Sequence, residues 1–389
     1  MAYIYRGWRV ALAGTMINFL VGINYTWSIY ATGLVAQKNW SYAEASLPYS
    51  VFLLCYAVCM VFAGRAQDYY GPGPVVRLGS LFSGGAFLVS LFLLNFPFTA
   101  ALTWGILLGM GAACCFASTT PAAMKWFSGE RKGTVAGLVV AGIGLSALVL
   151  SPVIQYLVEK SAAGSFLISG LFLLAGMFLL GRVIENPPLG IKELRRQLSR
   201  RNRYPVSGDY RLYLLWFMFF LTTGSGVTMA AHLNNIALVQ AGMEQGFIAV
   251  SLFALGNTAG RAAAGIFSDR VGRWRAMLLV FSGISLMLVV LITARFPAVF
   301  ILVVFVLAFC FGGLFSLFPA MVVHLFGEED FGLNYGIVFT GLGAAGVFPF
   351  LTGVLFELQG DYLTAYMLLL GGVVVALLLL FKLGQEGDV

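Results

Sequence analysis

Twelve stretches of this chain stay apolar for about 20 residues or more, the length an α-helix needs to cross the hydrocarbon core of a bilayer. They fall at roughly 7–30, 42–65, 75–95, 97–121, 134–156, 164–184, 210–238, 245–267, 275–294, 297–321, 331–356 and 361–383. The runs are continuous rather than alternating, so a transmembrane β-barrel does not fit. Charged residues make up only 10% of the chain and apolar residues 60%, whereas a soluble domain is nearer ~25% charged. The expectation is an all-α, multi-pass membrane protein. The opening MAYIYRGWRV carries Arg6 and Arg9 and leads straight into a full-length apolar run, unlike a cleavable signal peptide.

The net charge of +7 does not point to nucleic acid, because the cations are sorted by loop. Of 23 Lys and Arg, Lys38, Lys160 and Arg295 fall on one side of a twelve-span weave. Arg261 falls inside a span, and all the others fall on the side that holds both termini. The positive-inside rule makes that side cytoplasmic, in an inner (cytoplasmic) membrane. The segment GEED, with Glu328, Glu329 and Asp330, is the acidic exception. The longest polar interruption, ENPPLGIKELRRQLSRRNRYPVSGD at 185–209, reads as a solvated linker beside anionic headgroups, with partner binding as the alternative. It divides the chain into six-span units at 1–184 and 210–389.

The two units echo each other. After the second span the chain has Gly64, Asp68 and Gly71; after the eighth it has Gly265, Asp269, Arg270, Gly272 and Arg273. Both fit G-x-x-x-D-x-x-G, each matching pair lying 201 residues apart. A weaker echo joins Pro121 through Trp126-Phe127 to Pro319 through Leu325-Phe326. Internal repetition of this kind is a mark of transporters. The G-x-x-x-D-R-x-G-R segment resembles the signature loop of the major facilitator superfamily, and the second-span copy lacks its usual basic residues. The resemblance implies twelve helices in two six-helix halves, with the aspartates capping helix ends across the halves.

A narrower resemblance rests on three segments: Tyr25-Thr26-Trp27-Ser28-Ile29-Tyr30, KWFSGERKGTVAG at 125–137, and FGLNYGIVFTG at 331–341. They are similar to the oxalate:formate antiporter branch, which is allied to the monocarboxylate transporters. The resemblance implies a small carboxylate bound between the halves near mid-membrane by basic residues.

Arg261 is the residue that needs explaining. All sixteen Asp and Glu lie in loops, tails or helix ends, so no acid on a span centre can neutralise it. A buried arginine costs ~2.5–3.5 kcal/mol on insertion scales and normally faces a cavity. Its fork suits a carboxylate, and Asn257 shares its helical face at i,i+4. The alternative is snorkelling, since the expected helix end lies only ~6–9 Å away. The resemblance places Arg261 at the family's substrate arginine on the eighth helix. Animal monocarboxylate transporters tend to have aspartate where Asn257 stands, and asparagine cannot titrate. They have lysine where Ile29 stands, and oxalate-transporting relatives have a second cation at Leu342. One fixed positive charge fits one negative charge, so the expected substrate is a monocarboxylate such as lactate or pyruvate.

Asn18, Tyr25, Trp27, Phe116, Phe339 and Leu342 are further candidates for the cavity wall, with helix packing as the competing role for each. For Asn257 that role is an interhelical hydrogen bond. His232 is a weak candidate for proton coupling, and His324 lies at the inner end of the tenth span. Cys55, Cys59, Cys114, Cys115 and Cys310 show no metal-ligand spacing, so no metal or cofactor is expected. No Ser-His-Asp set, paired buried acids or HExxH segment suggests an enzyme.

The expected mechanism is rocking of two halves about a central site within one chain, an expected monomer in lipid. Lys125, Arg131 and Lys132 facing GEED, with Arg65, Asp68, Asp269 and Arg273, would form an inner latch, against independent surface pairs as the alternative. Proton-coupled symport, anion exchange and a transporter-like sensor remain the three functional readings.

Overall fold

The computed structural model describes residues 2–127, 131–187, 209–326 and 331–385, and twelve helical spans occupy them. Spans 1 to 6 are Tyr5–Lys38, Tyr42–Tyr70, Pro72–Leu91, Pro97–Met124, Val135–Lys160 and Ala162–Leu180. Spans 7 to 12 are Tyr210–Ala241, Phe247–Val271, Arg273–Thr293, Pro297–Phe326, Asn334–Gln359 and Leu363–Gly384. Glu328, Glu329 and Asp330, most of the 185–209 linker and the side chains of Arg131 and Lys132 lie outside the described residues, and with them half of the expected inner latch.

Local chemistry sets where many spans begin. Ser41 opens span 2 with a capping box: its side chain accepts from the Glu44 N–H at 3.1 Å, and the Glu44 carboxylate accepts from the Ser41 N–H at 2.8 Å. Proline stands first in spans 3, 4 and 10, where a missing N–H costs nothing. Asp209 caps span 7, accepting from the Arg211 backbone N–H at 2.9 Å. The Arg211 guanidinium also donates to it, at 2.6 Å, and this bond holds the Asp209 carboxyl below the usual carboxylate range.

Several spans depart from the hydropathy windows, three of them in ways that bear on the site. Span 1 is two α-helices, Ala2–Val21 and Trp27–Lys38, joined by a tighter 3-10 turn over Gly22–Thr26. Span 11 is likewise two pieces, Phe331–Ala344 and Val347–Gln359. Span 8 continues to Val271 rather than ending near 267, because helix geometry persists past the apolar boundary into the polar loop.

The internal repeat is physical. Gly71 bends the chain between spans 2 and 3 at φ 84, ψ 160, and Gly272 does so between spans 8 and 9 at φ 89, ψ 150. Side-chain-bearing residues rarely adopt this conformation, which accounts for glycine at both places. Packing repeats as well. Span 2 packs on 4, 3 on 4, 3 on 6, 1 on 5 and 1 on 6, and adding six to every number gives the contacts of the second set. The two sets meet through spans 2 and 11, 5 and 8, and 1 and 7.

At the end away from the Gly71 and Gly272 loops, this meeting is tight. The Ala43 N–H at the start of span 2 donates to Glu357 of span 11 at 2.6 Å, and Tyr42 packs edge-on to Phe356 at 4.5 Å between ring centres. Asn234 of span 7 donates to Thr32 of span 1 at 3.1 Å. A Cβ on Gly353 would stand 2.7 Å from the Tyr42 carbonyl and 2.8 Å from Ser46 Oγ. Gly353→Val should therefore wedge this end apart. Overpacking costs ~1–3 kcal/mol, which would shift the closed-to-open ratio about five- to 150-fold. A cysteine placed at buried Ala231, in a background without native cysteines, should then react faster with an impermeant maleimide. Unchanged labelling would contradict the wedge.

Candidate functional site

Away from that seal the two sets of six diverge around a cavity of about 1730 Å³. Its lining runs from Asn24, Tyr25 and Tyr49 to exposed Arg65, Asp68 and Tyr69 at the loop end. Arg261 lies in the wall between these limits, half-buried, about ten residues and so ~15 Å of helix before Val271.

Backbone packing fixes that stretch of span 8. Gly260 lies against the Phe309 carbonyl and Gly312 against the Asn257 carbonyl, leaving no room for a side chain at either glycine. Ser316 of span 10 donates to the Arg261 carbonyl at 2.6 Å. With the backbone held, Arg261 Nε donates to Asn257 Oδ1 at 3.0 Å, one turn away from the loop end. The side chain therefore points away from the nearer helix terminus, which is the opposite of snorkelling. Its Nη2 reaches Tyr25 Oη of span 1 at 3.4 Å, across the two sets of spans. Its Cζ lies 4.2 Å from the centre of the Phe315 ring.

These partners are all neutral. A cation over an aromatic face gains ~0.5–2 kcal/mol, and a hydrogen bond to a charged group ~1.5–3 kcal/mol. Together they offset the ~2.5–3.5 kcal/mol of placing arginine in the membrane. They do not cancel its charge. Among the described residues lining the cavity, Asp68 is the one carboxylate, and it sits at the loop end. Arg65 and Lys125 are there too, so Arg261 is the one charge deep in the described wall. Arginine only donates, so Asn257 must turn Oδ1 toward it. That leaves Asn257 Nδ2 buried without a hydrogen-bond partner among the described residues.

Of the sequence candidates, Tyr25, Phe116, Asn257, Arg261, Phe339 and Leu342 line this cavity. Three others are placed differently. Asn18 is fully buried between spans 1, 4 and 5, donating to the Val139 carbonyl at 2.9 Å and accepting from Thr119 Oγ1 at 3.2 Å. Trp27 donates to the Ala45 carbonyl at 2.9 Å and packs on Trp104 at 4.1 Å between ring centres. His232 is buried near the sealed end with Nε2 2.8 Å from the Pro349 carbonyl, beside a small gap rather than the central cavity. In each case a polar group in a helix bundle is consumed by its neighbours. His324 meets Arg273 at 2.9 Å within its own set of spans. Gly64 also lines the cavity, so one signature loop begins at its mouth.

Tyr49, Tyr56, Phe315 and Tyr335, which are not among the sequence candidates, also line the cavity. Tyr56 stacks on Phe52 and meets Phe116 and Phe339 edge-on, and Tyr335 meets Phe339 likewise. The signal was present as helical spacing: Tyr49, Phe52 and Tyr56 share one face of span 2, as Tyr335 and Phe339 do on span 11.

A twelve-span bundle whose matching halves enclose one charged cavity, sealed at one end, has the architecture of a membrane carrier. Sequence comparison gives the family. The model described as Major Facilitator Superfamily matches residues 11–348, with a second match at 212–387, and the chain belongs to that superfamily. It is 27% identical over 353 residues to the uncharacterized MFS-type transporter YhjX of Escherichia coli, covering 87% of this chain and 85% of the relative. Identity to the oxalate:formate antiporter of Oxalobacter formigenes is 24%, covering 93% and 88%. For monocarboxylate transporter 13 of Rattus norvegicus it is 23%, covering 93% and 85%. A solved D-xylose-proton symporter superposes with a TM-score of 0.78 at 13% identity over 98% of both chains, a likeness of fold. The chain is a multi-pass membrane transporter and not an enzyme.

Asn18→Ala should behave as a packing change. Losing its interhelical bonds should cost ~1–2 kcal/mol, seen as a lower midpoint of thermal unfolding in detergent. The substrate concentration giving half-maximal transport should stay within about twofold, since such a change in affinity needs contact with the ligand. A large loss of affinity at unchanged stability would return Asn18 to the binding wall.

Proposed function

We propose that this transporter carries a small monocarboxylate, such as lactate or pyruvate, across the cytoplasmic membrane, with Arg261 binding the carboxylate. The observation that supports this most is the single deep charge. Arg261 faces the cavity with neutral partners, and Asn257 beside it has a buried donor left unused among the described residues. A carboxylate accepting from both would satisfy them, whereas a dicarboxylate would bring a second charge with no cation beside it at Leu342. Kinship with an oxalate:formate antiporter and with monocarboxylate transporters supports the same substrate class.

In this reading residues 1–184 and 210–389 rock against each other about the 185–209 linker, and one chain suffices. The basic loops make the open end cytoplasmic, so the structure is inward-facing. The companion ion is a proton. Neither Asn257 nor the buried, backbone-bonded His232 serves as its carrier, which leaves the substrate itself or water beside Arg261. The oxalate:formate relative favours exchange as the rival.

Labelled lactate uptake into proteoliposomes tests both parts. Arg261→Ala should lower uptake about 30-fold or more, the cost of stranding a buried charge without its partner. Arg261→Lys should fall between, because lysine cannot offer two parallel bonds. Equal uptake by wild type and Arg261→Ala would remove Arg261 from the site. An imposed inward proton gradient should accelerate net uptake by the wild type. Dependence on internal substrate, with no response to the gradient, would establish exchange instead.

A further inference from the structure

Resting on the reading of Arg261 as the carboxylate-binding residue, the geometry points to a second task for Tyr25. We propose that the Tyr25 hydroxyl stands in for the substrate carboxylate on Arg261 while the carrier is unloaded. This lets the protein reorient without cargo, so that net transport and not only one-for-one exchange is possible.

Reorientation without cargo has a desolvation cost. A carrier passing between its two open states closes around its central site, and a lone guanidinium sealed there loses water on every side. Loaded protein avoids this, because the substrate brings the opposite charge. Unloaded protein has only what the chain supplies. Asn257 Oδ1 takes Nε and the Phe315 ring faces the guanidinium, but both lie on the same set of spans as Arg261. Tyr25 comes from the other set, and it takes Nη2, an edge of the fork that a carboxylate would use. A tyrosine hydroxyl can accept as well as donate, as this partner requires.

Two further features suit a displaceable stand-in. The contact is long at 3.4 Å, so an incoming carboxylate competes with a weak bond. Tyr25 also lies on the 3-10 turn of span 1, where short-range bonds hold the backbone: Asn24 Nδ2 donates to the Val21 carbonyl and Thr26 Oγ1 to that of Ile23, both at 2.8 Å. A tighter turn within a long helix is a place where the axis can flex. Tyr25 can there keep its contact as the two sets of spans tilt.

The test measures two fluxes of labelled lactate, or of pyruvate if the wild type prefers it, from the same proteoliposomes. Exchange is read with substrate on both sides, and net efflux with substrate inside only. Taking their ratio removes any difference in the amount of folded protein. For Tyr25→Phe the ratio of net efflux to exchange should fall about three- to tenfold, the rate equivalent of one long hydrogen bond. Tyr25→Gln, which restores an acceptor oxygen, should recover much of the ratio. An unchanged ratio in Tyr25→Phe, or a wild type unable to perform net efflux, would overturn the proposal. Arg261→Ala distinguishes the underlying reading: wild-type exchange by that variant would sink the role of Arg261, whatever Tyr25 does. If neither acid is moved by the wild type, both fall.

Discussion

The guanidinium of Arg261 cannot shed its proton, and the chain places it midway along a membrane span. Everything around it manages that charge without neutralising it. Span 8 lies backbone to backbone on span 10 through Gly260 and Gly312, which fixes where the side chain starts. Asn257, Tyr25 and the Phe315 face then make its position tolerable. The favourable terms are comparable to the insertion cost, so arginine stays while keeping its attraction for an anion. A resident carboxylate would have stabilised it better and closed the site to a charged substrate.

The repeat explains how such a site can face two sides. One packing scheme is used twice, down to the matching bends at Gly71 and Gly272, so the two sets meet along a symmetric seam. At one end small residues and short contacts draw the seam shut: on span 11, Gly353 lies against Tyr42 and Ser46 of span 2, and Glu357 accepts from the Ala43 N–H. At the other end the seam parts around the cavity mouth at Gly64, Arg65 and Lys125. Tightly packed seams of this kind favour discrete arrangements over gradual deformation.

How much could be read beforehand depended on which force decided each feature. Burial in lipid is a property of whole segments, so twelve spans were legible from apolar length, and Arg261 with Asn257 from helical spacing and the lack of acids. The turn at Gly22–Thr26 was not, because a 3-10 segment has the same hydropathy as the helix it interrupts. Asn18, Trp27 and His232 look like site residues in a list, since polar and aromatic side chains in a membrane helix suggest function. Their partners, Val139 and Thr119, Ala45, and Pro349, are distant in sequence and could be found only from the packing. The aromatic wall at Tyr49, Tyr56, Phe315 and Tyr335 was missed for the converse reason: rings at helical spacing usually fill cores.

If one isolated cation selects one negative charge, calorimetric binding to the purified wild-type protein should reveal it directly. Lactamide, lactate and oxalate are similarly small and carry no charge, one charge and two. Lactate should bind at least about tenfold more tightly than either of the others, the neutral one lacking the ion pair and the dianion stranding a charge. Oxalate binding as tightly as lactate would contradict it.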